Sequence, residues 1–406
     1  MPGNTIIILG GGVGGIVTAN SLREQLPPEH RIIVVDKKAE YVFTPSLLWV
    51  MVGWRNASRI SKDLRRLLHA GIDVIQAEAN EIDLNHKQVK TSNGDLAYDY
   101  LVLALGADLA PEALPGFQEA ALTPYDLDGA TRLWSALQSF KGGRIAVLVS
   151  ALPYKCPAAP YETAMLLDGH LRRKGIRERC EIEVYTPEVL PMGVAGPGMG
   201  QAVVGMLVAK GIRFNPELDV KHIDASQKQL VFTNHEPVTF DLLAGVPPHR
   251  PPQVMAQSPV ANEGGWVLVD KRTLQTTYES VYAIGDVAAI TLSNGKPLPK
   301  AGVFADGQAR TVANRISDDI QGSGARAEFD GLGFCWIETG GGSAGFAYGD
   351  FYAEPDPVVP LPRSGRIWHW GKILYEEYWL GEGVTQGISK FGLKIGTQIY
   401  NIPAPL

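Results

Sequence analysis

Residues 5–26 read TIIILGGGVGGIVTANSLREQL. The first five form a buried-strand pattern, and IVTANSLREQL has the character of a helix. Between them Gly10, Gly12 and Gly15 fall in the G-x-G-x-x-G spacing. The first glycine permits a tight turn, the second lets a pyrophosphate reach the backbone, and the third lets the helix pack on the strand. The helix start offers free N–H groups and a positive dipole end to phosphates. The strand RIIVVD then ends at Asp36, 21 residues after Gly15, where a carboxylate accepts from the ribose hydroxyls of an adenosine. Strand, turn, helix and acid together predict an α/β fold that binds a dinucleotide.

Working outward, VYAIGDVA (281–288) is a strand ending in Gly285-Asp286. It resembles the second FAD fingerprint of flavoproteins with two dinucleotide domains, in which the aspartate binds the ribityl chain. YLVLALGAD (100–108) resembles the short intervening strand of the same class. In that order and spacing the cofactor reads as FAD. The expected organisation is two Rossmann-like domains, the FAD domain being discontinuous. Residues 1–110 and 251–330 form the FAD domain, 111–250 the second unit, and 331–406 a C-terminal region.

The second unit carries the anomaly. RIAVLVS (144–150) and EIEVYTPE (181–188) look like its first two strands. The turn between them, ALPYKCPAAPYE, has no glycine. Its prolines fix φ and remove donors, so the backbone cannot wrap a pyrophosphate in the usual way. NAD(P)H binding is therefore expected to be lost, and Cys156 stands in its place near Glu162. Cys180, in RERCEIEV, reads as a buried small hydrophobe.

Composition narrows the function classes. The chain has 406 residues, is 45% hydrophobic and carries a net charge of −6, which argues against a general nucleic-acid partner. Three cysteines make neither a disulfide scaffold nor a zinc site, so no metal is expected. No signal peptide is read, and no stretch approaches the ~20 apolar residues that span a bilayer. Any membrane contact is expected to be peripheral.

Lys300, in KPLPKAGVFADGQA (296–309), precedes a helix placed to begin under the flavin, where a cation stabilises an anionic reduced form. From Phe334 to Trp379 eleven residues are Phe, Tyr or Trp, against 8% in the whole chain, enough to line a pocket for a quinone ring. In ISKFGLKIGTQIY (388–400), Ile388, Phe391, Ile395 and Ile399 share one helical face, the pattern of a helix lying in a membrane interface. Gly392 and Gly396 work against that helix.

These stretches, together with YVFTPSLLWVMVGWR (41–55), YKCPAAPYE, GFCW and HWGKILYEEYW, resemble the sulfide:quinone oxidoreductases of the flavoprotein disulfide reductase superfamily nearly end to end. The Cys-Pro-x-x-Pro-Tyr-Glu pattern is the most specific, and is shared with the flavin subunit of flavocytochrome c sulfide dehydrogenase. The resemblance implies oxidation of hydrosulfide by a Cys156–Cys335 redox pair, with Cys335 nearer the flavin and Glu162 as acid/base. It implies Gly10, Gly12, Gly15, Asp36, Lys37, Pro45, Ala107, Gly285, Asp286 and Lys300 around FAD. Phe346, Lys372, Tyr375 and Phe391 would lie around the quinone. It also implies a monotopic protein on the bilayer surface of the inner membrane, read here on the cytoplasmic face, with a homo-oligomer left open. One departure stands out: many members carry a third functional cysteine upstream, and no cysteine lies between Gly106 and Ser150. Two other readings stay open, a type II NADH:quinone oxidoreductase and a flavin subunit that serves a haem protein.

Overall fold

A computed structural model describes residues 3–324, 326–361, 364–400 and 402. The opening stretch folds as strand β1 (Thr5–Leu9) and helix α1 (Val13–Gln25). β2 (Arg31–Asp36), β3 (Ile72–Gln76) and β4 (Tyr100–Leu103) join β1 in a parallel sheet. The strand Val281–Ala283 completes it beside β4, in the order 281–283, β4, β1, β2, β3. Thus a segment 178 residues later returns to the first sheet, 281 minus 103. Ile6, Ile8, Ile32, Val34 and Val102 are buried on one side of this sheet, and Ile7, Leu9, Ile33 and Leu101 on the other. Strands covered on both faces are why TIIIL and RIIVV are continuous apolar runs rather than alternating ones.

The second sheet is also parallel. It contains β5 (Gly143–Val149), β6 (Cys180–Tyr185), β7 (Ile212–Asn215) and β8 (Leu242–Val246), in the order β7, β6, β5, β8. Between β5 and β6 runs helix α2 (Ala159–Arg173), which carries Pro160 in its first turn, where a missing N–H costs nothing. Cys180 is buried, and its thiol donates to the Ile176 carbonyl at 3.3 Å.

After β9 (Val281–Ala283) and helix α3 (Gly302–Gln321) comes an antiparallel hairpin of β10 (Leu332–Gly340) and β11 (Ser343–Asp350), with Trp336 opposite Phe346. Two helices close the chain, α4 (Arg366–Leu380) and α5 (Val384–Ile399). A row of ion pairs fastens α4 and the turn after it to the first domain. Arg55 meets Glu376 at 2.7 Å, Arg59 meets Glu377, and Lys62 and Arg66 reach Glu382 at 2.7 and 2.8 Å. Among the described residues no helix is long and apolar enough to cross a membrane.

Candidate active site: two thiols around a buried ion pair

The turn after β1 fits a dinucleotide by shape. Gly10 has φ +108°, and a Cβ there would meet the Ala104 carbonyl at 2.3 Å. At Gly15 a Cβ would lie 1.8 Å from the Gly10 carbonyl oxygen, so helix and turn pack too closely for any side chain. Gly12 differs: nothing lies within 4 Å of a Cβ built there, which leaves an open cradle over the N-terminus of α1. Asp36 accepts from the Gly11 and Lys38 amides at 2.6 and 2.7 Å, which fixes its carboxylate at the rim of that cradle, while Lys37 is exposed. Gly285 has φ +69° and donates its amide to Gln308 at 2.7 Å. No residue among those described hydrogen-bonds the Asp286 carboxylate. Burial raises its pKa, with Lys155 and Lys300 pulling the other way. The donor set, the cradle and this unpartnered acid fit a flavin dinucleotide.

The proline-cysteine turn is stitched to this region. The Cys156 amide donates to the Lys300 carbonyl at 2.7 Å, and the Lys155 ammonium to the buried Ala107 carbonyl at 3.3 Å. Cys156 itself has φ +54°, a conformation that costs a non-glycine residue about 1–3 kcal/mol and is retained where the surroundings impose it. The Tyr125 hydroxyl donates to its carbonyl at 3.1 Å. The Lys300 ammonium donates to the Asp286 backbone carbonyl and lies 3.6 Å from the centroid of the Trp266 ring. Burial lowers Lys300 to about 8, against an opposing pull from Asp286.

Cys335, on β10, comes to the same place from the other end of the chain. Both thiols are half-buried and free. Burial pushes the Cys156 thiol up to about 12, and Glu162 adds to the effect. The Cys335 thiol is pushed well above its ordinary value by burial, then by Glu162 and by Cys156. Both thiols thus stand in the field of the same carboxylate, Glu162. Glu162, in the first turn of α2, is 2% exposed, and Lys372, on α4, is 4% exposed. They pair at 3.2 Å, and the same carboxylate oxygen accepts the Glu338 amide at 2.9 Å. Burial raises the Glu162 pKa while Lys372 restrains it; burial works against the Lys372 charge, but Glu162 and Glu338 hold its pKa above the usual value. Removing one partner of such a buried pair costs about 3–5 kcal/mol.

Beside it lies an aromatic cluster. Tyr375, one turn after Lys372, packs against Trp336 at 5.1 Å, Phe334 at 6.0 Å and Phe43 at 6.1 Å between ring centroids. Phe346 stacks between Phe334 at 5.8 Å and Trp368 at 5.1 Å. Phe391, which the resemblance sets beside the quinone, is 65% exposed on α5. The helix buries Ser389 and Leu393, and two residues of helix turn Phe391 about 200° away from Ser389. Pro45 stands exposed in the 3₁₀ turn Thr44–Ser46, and its neighbour Ser46 donates to Glu376 at 2.7 Å.

Three further groups escaped sequence reading. Glu188, after β6, is where a nicotinamide-binding unit would hold its ribose. Here it accepts from Tyr154 at 2.8 Å and from Tyr161, both from the substituted turn. Glu338 and His369 form a pair next to Glu162. The available signals were the position of Glu338 three residues after Cys335 and the i, i+3 spacing of His369 and Lys372.

Two parallel dinucleotide-type units, with one thiol from the turn after β5 and one from the hairpin strand β10 set around a shared buried carboxylate, define a flavoprotein oxidoreductase of the two-domain disulfide-exchanging class. The pyridine nucleotide-disulphide oxidoreductase family profile matches residues 4–309. The chain is 30% identical to the sulfide-quinone reductase of Aquifex aeolicus over 92% of its length and 90% of that protein's. It is 26% identical to the mitochondrial sulfide:quinone oxidoreductase of Mus musculus, over 88% and 81%. The crystal structure of the Aquifex aeolicus enzyme superposes with a TM-score of 0.83 at 26% identity, covering 92% of this chain and 90% of that one. The chain belongs to the pyridine nucleotide-disulphide oxidoreductases, in their sulfide:quinone oxidoreductase branch, and that membership implies a flavin cofactor.

Proposed function

We propose that this protein oxidises hydrosulfide at Cys156 and Cys335 and passes the electrons through FAD to a membrane quinone. The convergence of both thiols on Glu162 carries the reading. FAD would be held by Gly10, Gly12, Gly15 and Asp36 at its adenosine end and by Gly285, Asp286 and Lys300 at its flavin end, with Lys37, Pro45 and Ala107 along the rim. When bound, the flavin supplies a two-electron acceptor that quinone can discharge.

The chain's own residues do the sulfur chemistry. Hydrosulfide attacks Cys156 Sγ of the oxidised pair. The S–S bond breaks, Cys156 keeps the added sulfur as a persulfide, and Cys335 leaves as a thiolate with the electron pair. Glu162 takes the proton released by the sulfur, a task suited to a carboxylate whose pKa burial has raised. Lys372 balances the charge, and Tyr375 with Phe346 offers aromatic faces to the quinone ring. The stripe of Ile388, Phe391, Ile395 and Ile399 on α5 is exposed and would rest in the bilayer surface. The capture of Glu188 by Tyr154 and Tyr161 favours this reading over NADH oxidation.

The test is anaerobic absorbance of the purified holoprotein. Stoichiometric sulfide should bleach the oxidised-flavin band and a short-chain quinone should restore it. Cys335→Ser should keep its flavin and lose the bleaching. Full bleaching by sulfide in that variant sinks the mechanism, and bleaching of the native protein by NADH sinks the substrate.

A further inference from the structure

The Glu338–His369 pair lies beyond the residues that handle sulfur. Glu338 is fully buried on β10, and both its carboxylate oxygens face His369 Nδ1, at 2.9 and 3.0 Å. Its backbone amide donates to Glu162, and its charge acts on Lys372. His369 and Lys372 share one face of α4. The His369 side chain is 14% exposed, the most open of the four. Its ring sits edge-on to Trp49 at 5.7 Å and Trp54 at 5.5 Å, and Trp54 lines an open cleft with Arg55, Asn56, Thr131 and Trp134. The four residues therefore lie between the thiols and the protein surface, with Glu338 tied to Glu162 through its backbone amide and to Lys372 through its charge, so a proton crossing between the two pairs needs a bridging water. The other charged groups packed against this end are Arg55, over Trp49, Arg173, over Trp54, and Glu376, paired with Arg55.

The reaction gives such a line something to do. Hydrosulfide oxidation supplies two electrons and one proton, while reduction of a quinone to its quinol consumes two of each. One proton per turnover must come from solvent. A fully buried carboxylate without a proton donor or acceptor is costly to keep in a core, and this one joins a solvent-touching histidine to the ion pair beside the thiols. We propose that His369 and Glu338 form the route by which that solvent proton reaches Lys372 and Glu162. They act through those two residues and are positioning residues rather than catalytic ones. The proposal rests on the sulfide:quinone reading.

The experiment separates the two. Holoprotein reduced with dithionite is mixed anaerobically with a short-chain quinone across a pH series, so no sulfide enters this arm. In Glu338→Gln and His369→Gln, flavin reoxidation should slow by about 100-fold, the scale of a lost proton-transfer partner. The loss should deepen as pH rises and solvent protons become scarce. Bleaching by one equivalent of sulfide should persist, and added imidazole should restore reoxidation in His369→Gly. Native reoxidation rates with a native pH profile in the folded variants overturn the proposal. So does a slowing that is the same at every pH and is not rescued, which marks a merely structural pair. If Glu338→Gln does not fold, the more open His369 variants decide alone. Absence of sulfide bleaching in the native protein, with quinone reoxidation intact, overturns the sulfide reading and leaves the proton route standing.

Discussion

Tyr154 donates its hydroxyl to Glu188 at 2.8 Å, and so closes from within the place where a nicotinamide nucleotide's ribose would be held. Tyr161 donates to the same carboxylate oxygen. NADH is therefore expected to leave the flavin oxidised. Burial raises the Glu188 pKa despite both hydroxyls, so the acid is poorly hydrated and depends on them. The double variant Tyr154→Phe with Tyr161→Phe should lose about 1–2 kcal/mol in urea denaturation, because Thr186, at 3.2 Å, is left as the side-chain donor to that oxygen. It should gain no NADH activity, because the turn still lacks glycines. An unchanged denaturation midpoint would show that the contact contributes nothing.

Gly12 gives a second test. The space over its Cα is open, so Gly12→Val should fold with native circular dichroism and yet purify with little flavin. Gly15→Ala differs, since its methyl would press on the Gly10 carbonyl and damage the fold itself. Full flavin occupancy in Gly12→Val would contradict the cradle.

The thiols have a definite pH dependence. Burial and Glu162 push Cys156 up to about 12, so the thiolate is scarce at neutral pH. In reduced protein, alkylation by iodoacetamide should speed up roughly tenfold per pH unit below that value, since only the thiolate reacts. Glu162 raises this pKa and Lys372 lowers it. Glu162→Gln should therefore lower the pKa and accelerate alkylation at a fixed pH. Slower alkylation in the variant would reverse the assigned sign. Mass spectrometry of the modified peptide reads the rate at Cys156 alone.

The exposed stripe on α5 predicts a separation of functions. Ile388→Glu with Phe391→Glu should weaken binding to anionic lipid vesicles by about 10-fold or more, because each removes apolar area from the interface. Sulfide bleaching in detergent should be unaffected. Co-sedimentation with vesicles measures the first and absorbance the second. Undiminished sedimentation would remove α5 from the membrane contact.

What the sequence made legible was whatever repeats a backbone requirement. Gly10, Gly12 and Gly15 are needed by a turn whose geometry is local, and Asp36 by a strand end at a fixed distance. The buried strands showed themselves as unbroken apolar runs. Cys156 stood out because prolines had replaced glycines around it. Glu338 and His369 did not stand out, since their pairing depends on a hairpin and a helix meeting at one depth. No local pattern records that depth. The periodicity of Ile388, Phe391, Ile395 and Ile399 defines a face without saying which side of the helix the protein covers. Ser389 and Leu393 settle that question.

The last two helices are attached to the body and, in our reading, to the bilayer by forces of opposite character. Arg55, Arg59, Lys62 and Arg66 hold Glu376, Glu377 and Glu382 through charge, most of it at the solvent boundary. Ile388, Phe391, Ile395 and Ile399 offer only hydrocarbon. A concentrated salt wash screens the first and strengthens the second. A salt wash of membranes should thus leave the protein in the pellet with its terminal helices still attached, because Tyr375 and Trp379 of α4 also pack against Tyr41 and Phe43. Mild detergent at low ionic strength should release it whole.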